Sequence, residues 1–149
     1  MEISAQPDRL DRELIHRFLS EDAYWSPGVS RETVDRSIDH SLCFGAYDDE
    51  GGQIGFTRVV TDHATFAWVC DVFVLPHARG RGVGKALIAA VVAHPSVASV
   101  RRVMLATEDA HGLYEAFGFR KPDDIYKWLV LRPGSASGPP APDGASGPR

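Results

Sequence analysis

A run of arginine and glycine, Arg79-Gly80-Arg81-Gly82-Val83-Gly84-Lys85, has the residue types of a phosphate cradle. It follows an apolar, strand-like segment that runs into Pro76. It precedes a helical pattern rich in Ala, Val, Leu and Ile that Pro95 stops. The first turn of a helix presents N–H groups without intrahelical partners and the positive end of its dipole. Glycine lets such a backbone approach a ligand closely, and Arg79, Arg81 and Lys85 add positive charge. The chemistry that fits is recognition of a diphosphate. A nucleotide P-loop is excluded, because Gly84-Lys85 is followed by Ala86 rather than a hydroxyl residue and Arg79 stands where the first glycine belongs. A dinucleotide fingerprint is excluded because Lys85 takes the place of its third glycine.

A second chemical feature is Asp71, a carboxylate inside the otherwise apolar run Thr65-Phe-Ala-Trp-Val-Cys-Asp-Val-Phe-Val-Leu75. Burying a lone carboxylate costs several kcal/mol, on the order of that for any unpaired buried charge, unless it is paired or used. An ion pair with Arg58 on the neighbouring strand is one reading; a functional charge is the other. Trp68, three residues earlier, lines an acceptor pocket or fills the core. A third feature is the stretch Thr107-Glu-Asp-Ala-His-Gly-Leu-Tyr-Glu-Ala-Phe-Gly-Phe119, which places Tyr114 on a short helix. His63, in a turn, and His111, on the Tyr114 helix, have side chains of suitable basicity for proton transfer. The histidines show no metal-ligand spacing, so no metal is expected.

Arg79, Gly82 and Gly84 match the pattern Arg/Gln-x-x-Gly-x-Gly/Ala, which resembles the pyrophosphate loop of the GNAT superfamily of acyl-CoA N-acyltransferases. Ala110, Leu113, Tyr114, Gly118 and Phe119 are similar in register to that family's second signature, Asn-x-x-Ala-x-x-Leu-Tyr-x-x-x-Gly-Phe. Thr107 stands where the family often has Asn. The resemblance implies acetyl-CoA as co-substrate, held by Arg79, Gly80, Arg81, Gly82, Val83, Gly84, Lys85 and Thr107, with the backbone of Val72, Phe73 and Val74 pairing with the pantetheine arm. It implies Tyr114 as the acid that protonates the leaving thiolate. It also puts Asp71 near the thioester, where it deprotonates the acceptor amine, directly or through water, or holds an ammonium group. These motifs cover residues 71–85 and 107–119; the remainder matches in the order of elements. Cys70 is a conceivable nucleophile, but it lacks an adjacent His base, and a buried thiol is the better reading.

These residues need elements to position them. Apolar residues at helical spacing predict a helix over residues 11–19 and a second that starts after Ser30 as N-cap and carries Val34 and Ile38 on one stripe. Strands are predicted over residues 42–47, 53–61, 65–75, 101–107 and 125–131, with helices over 82–94 and 110–117. The run 65–75, apolar on both faces, suits a central strand. The order is ααβββαβαβ, a mixed α/β (α+β) GNAT-like fold with a largely antiparallel central sheet flanked by helices. Between the first two helices, the aromatic loop with Tyr24 and Trp25 is where acceptor recognition is expected. Residues 1–132 form the expected domain. Residues 133–149, all Pro, Gly, Ser, Ala, Asp and Arg, form a tail that has no apolar surface to bury.

Bulk properties narrow the partners. The chain has 149 residues, 44% of them hydrophobic and 24% charged, and a net charge of -4. That balance argues against nucleic-acid binding, which needs a basic face. No run is long enough to span a membrane, no signal peptide is read at the N-terminus, and the two cysteines suit a reducing cytosol. The expectation is a cytoplasmic N-acetyltransferase acting on a small-molecule amine, as monomer or homodimer. A non-catalytic acyl-CoA-binding regulatory module and a protein lysine or N-terminal acetyltransferase remain as alternatives.

Overall fold

The structure, a computed structural model, describes residues 1–133. It divides into a unit of residues Met1–Phe119 and a second that begins at Arg120.

The first unit is built on a five-stranded sheet in the order β1-β2-β3-β4-β5. Its strands are β1 (Glu2–Ser4), β2 (Leu42–Tyr47), β3 (Gln53–Thr61), β4 (Phe66–Val74) and β5 (Arg102–Met104). Every pairing is antiparallel except β4 with β5, which is parallel. The parallel pair follows from its connection, because the chain crosses back over the sheet through α3 (Val83–Ala93) and α4 (Pro95–Ala98). The sheet is therefore mixed and largely antiparallel, as the sequence indicates.

Each face of the sheet is covered by helices. On one face α3 lays Val83, Leu87, Ile88 and Val91 against Phe44, Ala46, Ile54, Val59, Ala67 and Val69. Gly55 on β3 permits this approach: a Cβ there would lie 3.2 Å from both Leu87 Cδ1 and Val83 Cγ1. On the other face α1 (Arg12–Arg17), the π turn Phe18–Asp22 and α2 (Arg31–Asp39) bury Ile15, Phe18, Leu19, Val34 and Ile38 against Cys43, Phe56 and Phe73. Both helix starts are capped by side chains, Asp11 accepting from Leu14 N at 2.9 Å and Ser30 from Thr33 N at 3.1 Å. Leu87 has no exposed surface, so Leu87→Ala should destabilise the fold by about 3 kcal/mol through lost burial and the cavity left behind. A urea midpoint reporting less than about 1 kcal/mol would show that the two faces do not depend on this helix.

The elements depart from the expected order at both ends. β1 has only three residues, too few to show a pattern, and it pairs with residues 45–47 of β2. The strand expected over residues 125–131 is absent. In the second unit Ile125–Lys127 is a 3-10 turn, and residues 128–132 carry no regular structure. Local bonds take the place of a ladder: Lys127 N donates to Asp124 O at 2.9 Å, Trp128 N to Ile125 O at 3.1 Å, and Lys127 Nζ lies 3.7 Å from Asp124 Oδ2. An apolar run alone does not make a strand without a partner edge. Of the tail, Pro133 is described and residues 134–149 lie outside the described residues. Among the described residues no helix is long and apolar enough to cross a membrane.

Candidate active site

The glycine-rich segment forms the turn between β4 and α3. After a 3-10 turn at Pro76–Ala78 the chain passes through Gly80 at φ 74° and Gly82 at φ 79°, left-handed values that favour glycine. The first bond of α3 runs from Ala86 N to Gly82 O at 3.0 Å. The N–H groups of Val83, Gly84 and Lys85 stand ahead of it at the positive end of an 11-residue helix. A Cβ added at Gly80 or Gly82 would meet nothing within 4 Å. No internal packing demands these glycines; the backbone conformation does, and the space above them is open. A cavity of about 390 Å³ lies here, lined by Arg79, Gly80, Gly82, Val83, Gly84 and Lys85 together with Val74, Ala78 and Leu113. Arg81 is exposed and is not part of this lining. Arg79 Nε donates to Val74 O at 3.1 Å, tying the loop to the strand that feeds it.

The edge of β4 beside this loop is open. Parallel pairing with β5 covers only Phe66, Ala67 and Trp68. The strand expected over residues 101–107 stops at Met104, and the chain that follows diverges. Beyond Trp68, residues 69–74 of β4 pair only with β3. Leu75 N donates to Ile54 O at 2.9 Å, so in the alternation of an antiparallel ladder the N–H groups of Val72 and Val74 point to the free edge. Phe73 turns its backbone towards β3. Its ring stacks on Phe18 at 4.0 Å in the core.

A second cavity, about 280 Å³, fills the gap between β4 and residues 105–107. Its lining brings together Tyr24, Trp25, Trp68, Asp71, Val72, Thr107 and Tyr114, which the sequence distributes over 91 positions between residues 24 and 114 inclusive. Tyr114 is 7% exposed, with its ring edge-on to Phe119 at 6.0 Å. Burial, and after it the charge of Asp109, pushes its phenol up to about 12. The hydroxyl therefore stays protonated across the working range of pH. Thr107 Oγ1 accepts from Ala110 N at 3.1 Å, which leaves its own hydrogen free to donate.

Asp71 is the residue whose setting the sequence conveys least. Arg58 pairs with Cys70 and Phe56 with Phe73, so Thr57 faces two residues, Asp71 and Val72. This is a β-bulge, and Asp71 adopts φ 53° within it. Asp is among the few non-glycine residues that tolerate that region. The extra residue reverses the alternation of β4 and so puts Phe73 on the α1 side. The carboxylate, with its side chain 13% exposed, accepts from Arg58 Nε at 2.7 Å on Oδ2 and from Trp25 Nε1 at 3.1 Å on Oδ1. Arg58 is in turn fixed by Ser41 Oγ at 3.1 Å. The ion pair foreseen from sequence is present, and the indole that completes it was not foreseen.

The remaining candidates lie elsewhere. His63, at φ 63° in the β3–β4 turn, and His111 line neither cavity. Cys43, Arg58 and Cys70 stand in register on β2, β3 and β4. Their Cα atoms two strands apart are roughly 9–10 Å from one another, beyond the reach of a disulfide. Both thiols are free, and burial first pushes each up to about 12, which suits neither a nucleophile nor a redox pair.

A strand opened by a bulge, a glycine-rich turn with unpaired N–H groups at its end and a protonated tyrosine across the gap lie along one edge of the sheet. Residues 39–121 match the profile of the acetyltransferase (GNAT) domain. An acetyltransferase of the GNAT family from Xanthomonas campestris pv. campestris, known from its crystal structure, is 49% identical; the likeness covers 88% of this chain and 92% of that one with a TM-score of 0.85. A protein of Gibberella zeae named as an acetyltransferase is 29% identical over 75% of this chain and 74% of its own. The glucosamine-6-phosphate N-acetyltransferase of Arabidopsis thaliana, 15% identical with a TM-score of 0.64 over 90% of this chain and 98% of that one, shares the fold. The chain belongs to the GNAT family and is an acyl-CoA-dependent N-acetyltransferase.

Proposed function

We propose that this protein transfers the acetyl group of acetyl-CoA to the primary amine of a small molecule, by direct attack in a ternary complex. The observation that carries the reading is the free edge of β4, which runs from one cavity to the other: Val74 lines the cavity at the start of α3 and Val72 the one at Tyr114. An extended arm lying on that edge spans from the anion cradle to Tyr114. The residues fit acetyl-CoA on their own chemistry. The N–H groups at the start of α3, with Arg79 and Lys85, take the pyrophosphate. The outward N–H groups of Val72 and Val74 pair with the pantetheine amides, as a peptide adds to a sheet edge. Thr107 offers a further hydroxyl, and Phe73 fixes the strand from the core side.

At the reacting end, N–H groups beside the bulge polarise the thioester carbonyl. The neutral amine attacks, the carbon–sulfur bond breaks, and Tyr114 gives its proton to the departing thiolate. The amine's proton passes to Asp71 through water, or is shed to solvent under its field. Each Asp71 oxygen retains a lone pair beyond the Arg58 and Trp25 bonds. Trp68 and the Tyr24–Trp25 loop wall the acceptor side. The reading is tested by screening primary amines, lysine peptides and free N-termini for thiol release, with the acetylated product identified by mass spectrometry. Transfer confined to peptides would replace the small-molecule reading, and thiol release without an acetylated product would remove it.

The role given to Asp71 has its own test. Asp71→Asn keeps the shape and an acceptor for Trp25 but loses the charge. It should lower acceptor kcat/KM by roughly tenfold near neutral pH, at the low end of acid–base effects, with acetyl-CoA affinity unchanged. Part of the loss should return as pH rises and more amine is neutral. An unaltered pH profile would reduce Asp71 to the anchor of the bulge.

A further inference from the structure

Arg58 stands directly opposite Cys43 on β2 and Cys70 on β4, on the face of the sheet that α1 and α2 cover. The core of that face is apolar, built from Phe18, Ile38, Cys43, Phe56 and Phe73. The Arg58 side chain is only 18% exposed. Neither flanking thiol supplies a countercharge, because burial pushes each up to about 12. Arg58 Nε donates instead to Asp71 Oδ2 at 2.7 Å, and its Nη1 donates to Ser41 Oγ at 3.1 Å. The cost of taking two charges out of water can exceed the attraction between them, and an apolar pair of similar volume often serves stability as well. Stability alone therefore does not account for this pair. The other oxygen of Asp71 accepts from Trp25 Nε1 at 3.1 Å. One chain of hydrogen bonds thus runs from Ser41, just ahead of β2, across Arg58 and Asp71 to the loop between α1 and α2. The further bonds of that loop, Ser26 Oγ to Leu19 O at 2.8 Å and Gly28 N to Ser20 O at 2.9 Å, run back to the π turn, whereas the indole ties it to the sheet. Asp71 and Trp25 line the cavity at Tyr114; Arg58 and Ser41 are not part of that lining.

We propose that Arg58 is a positioning residue for acetyl transfer: anchored on Ser41, it fixes the Asp71 carboxylate and, through it, the Trp25 indole at the acceptor side of the cavity. The inference rests on the amine-acceptor reading above and on the role given there to Asp71. Arg58 touches no substrate and acts through Asp71 alone. Acetyl-CoA binding is indifferent to it, because the bulge is also pinned by the pairing of Arg58 with Cys70 and Phe56 with Phe73, which is made by the backbone.

The test compares Arg58→Gln, Arg58→Lys, Asp71→Asn and the double variant Arg58→Gln/Asp71→Asn by acceptor kcat/KM and acetyl-CoA Kd. Arg58→Gln should lower acceptor kcat/KM roughly tenfold, the loss expected of Asp71→Asn, with acetyl-CoA Kd within about twofold. Arg58→Lys, which keeps the charge and a donor, should recover most of it. The double variant should lose no more than Asp71→Asn alone, because two changes that act through one carboxylate do not add. It also leaves no buried ion unpaired, so the comparison holds even where Arg58→Gln folds poorly. A double variant slower by roughly the product, about a hundredfold, overturns the inference, as does Arg58→Gln at the wild-type rate. A loss in Arg58→Gln that Asp71→Asn does not reproduce overturns it as well, and removes Asp71 from the reaction. A second readout needs no acceptor. The indole N–H resonance of Trp25, assigned by its absence in Trp25→Phe, should shift in Arg58→Gln and return towards its wild-type position in Arg58→Lys. If no amine is acetylated, the reaction reading falls, and this resonance decides the positioning by itself: a shift reversed by Arg58→Lys supports it, and an unmoved resonance overturns it.

Discussion

Tyr114→Phe should lower kcat by roughly 10²–10³ at neutral pH, within the usual range for loss of a general acid, while acetyl-CoA affinity stays within about twofold. The ring contact with Phe119 is retained, so the fold should be disturbed by less than about 1 kcal/mol. The size of the effect follows from the leaving group. On the proposed mechanism the thiolate leaves into the cavity that Tyr114 lines, and the Tyr114 hydroxyl is its proton source. Burial raises that phenol to about 12, and Asp109 adds to the rise. The sign matters: a raised pKa keeps the acid form present as pH increases. The wild-type rate should therefore climb with amine deprotonation through neutral and mildly alkaline pH, without a descending limb before roughly pH 10, where an unperturbed tyrosine would begin to ionise. Tyr114→Phe should keep the ascending limb and lose the amplitude. An unaltered rate would return Tyr114 to a packing role.

The second large effect is expected at Gly82. At φ 79° with nothing within 4 Å of an added Cβ, Gly82→Val clashes with no protein atom. A β-branched residue is nonetheless strained in that region by roughly 1–2 kcal/mol. The loop relieves the strain by turning, which swings the N–H groups of Val83, Gly84 and Lys85 off the phosphate, and the added methyls fill the path a diphosphate would take. Acetyl-CoA binding should weaken at least tenfold, about 1.4 kcal/mol, with cooperative melting preserved. Calorimetry showing unchanged affinity in the folded variant would place the pyrophosphate elsewhere.

The chemistry-bearing segments were legible from sequence because their residue types are hard to explain otherwise. The order strand, Pro76, glycine and cation, helix admits few structures, and the observed loop follows it. Helix starts at Asp11 and Ser30 were legible for the same reason, since the capping side chains are local. What was not legible depends on partners distant in the chain. β5 stops at Met104 although strand-like residues continue, because what ends it is the divergence of the neighbouring chain. The bulge at Asp71 leaves no mark beyond the Asp itself: its pairing with Arg58 was one of the two sequence readings, but the bend it makes in the strand was in neither. The strand expected over residues 125–131 was read from apolar content, and the turn at Ile125–Lys127 won through local bonds.

The central claim is that one acetyl group passes directly from acetyl-CoA to an amine in the gap between β4 and β5, with no acyl-protein on the way. A rapid-quench experiment with acetyl-labelled acetyl-CoA tests it most directly. Mixed with acetyl-CoA alone, the protein should release no burst of free thiol and should carry no covalent label on Cys70 or any other residue. With amine present, each thiol released should be matched by one labelled N-acetyl product, and labelled protein should not accumulate at any time point. A stoichiometric burst of thiol before amine is added, with the label retained on the protein, would contradict the account.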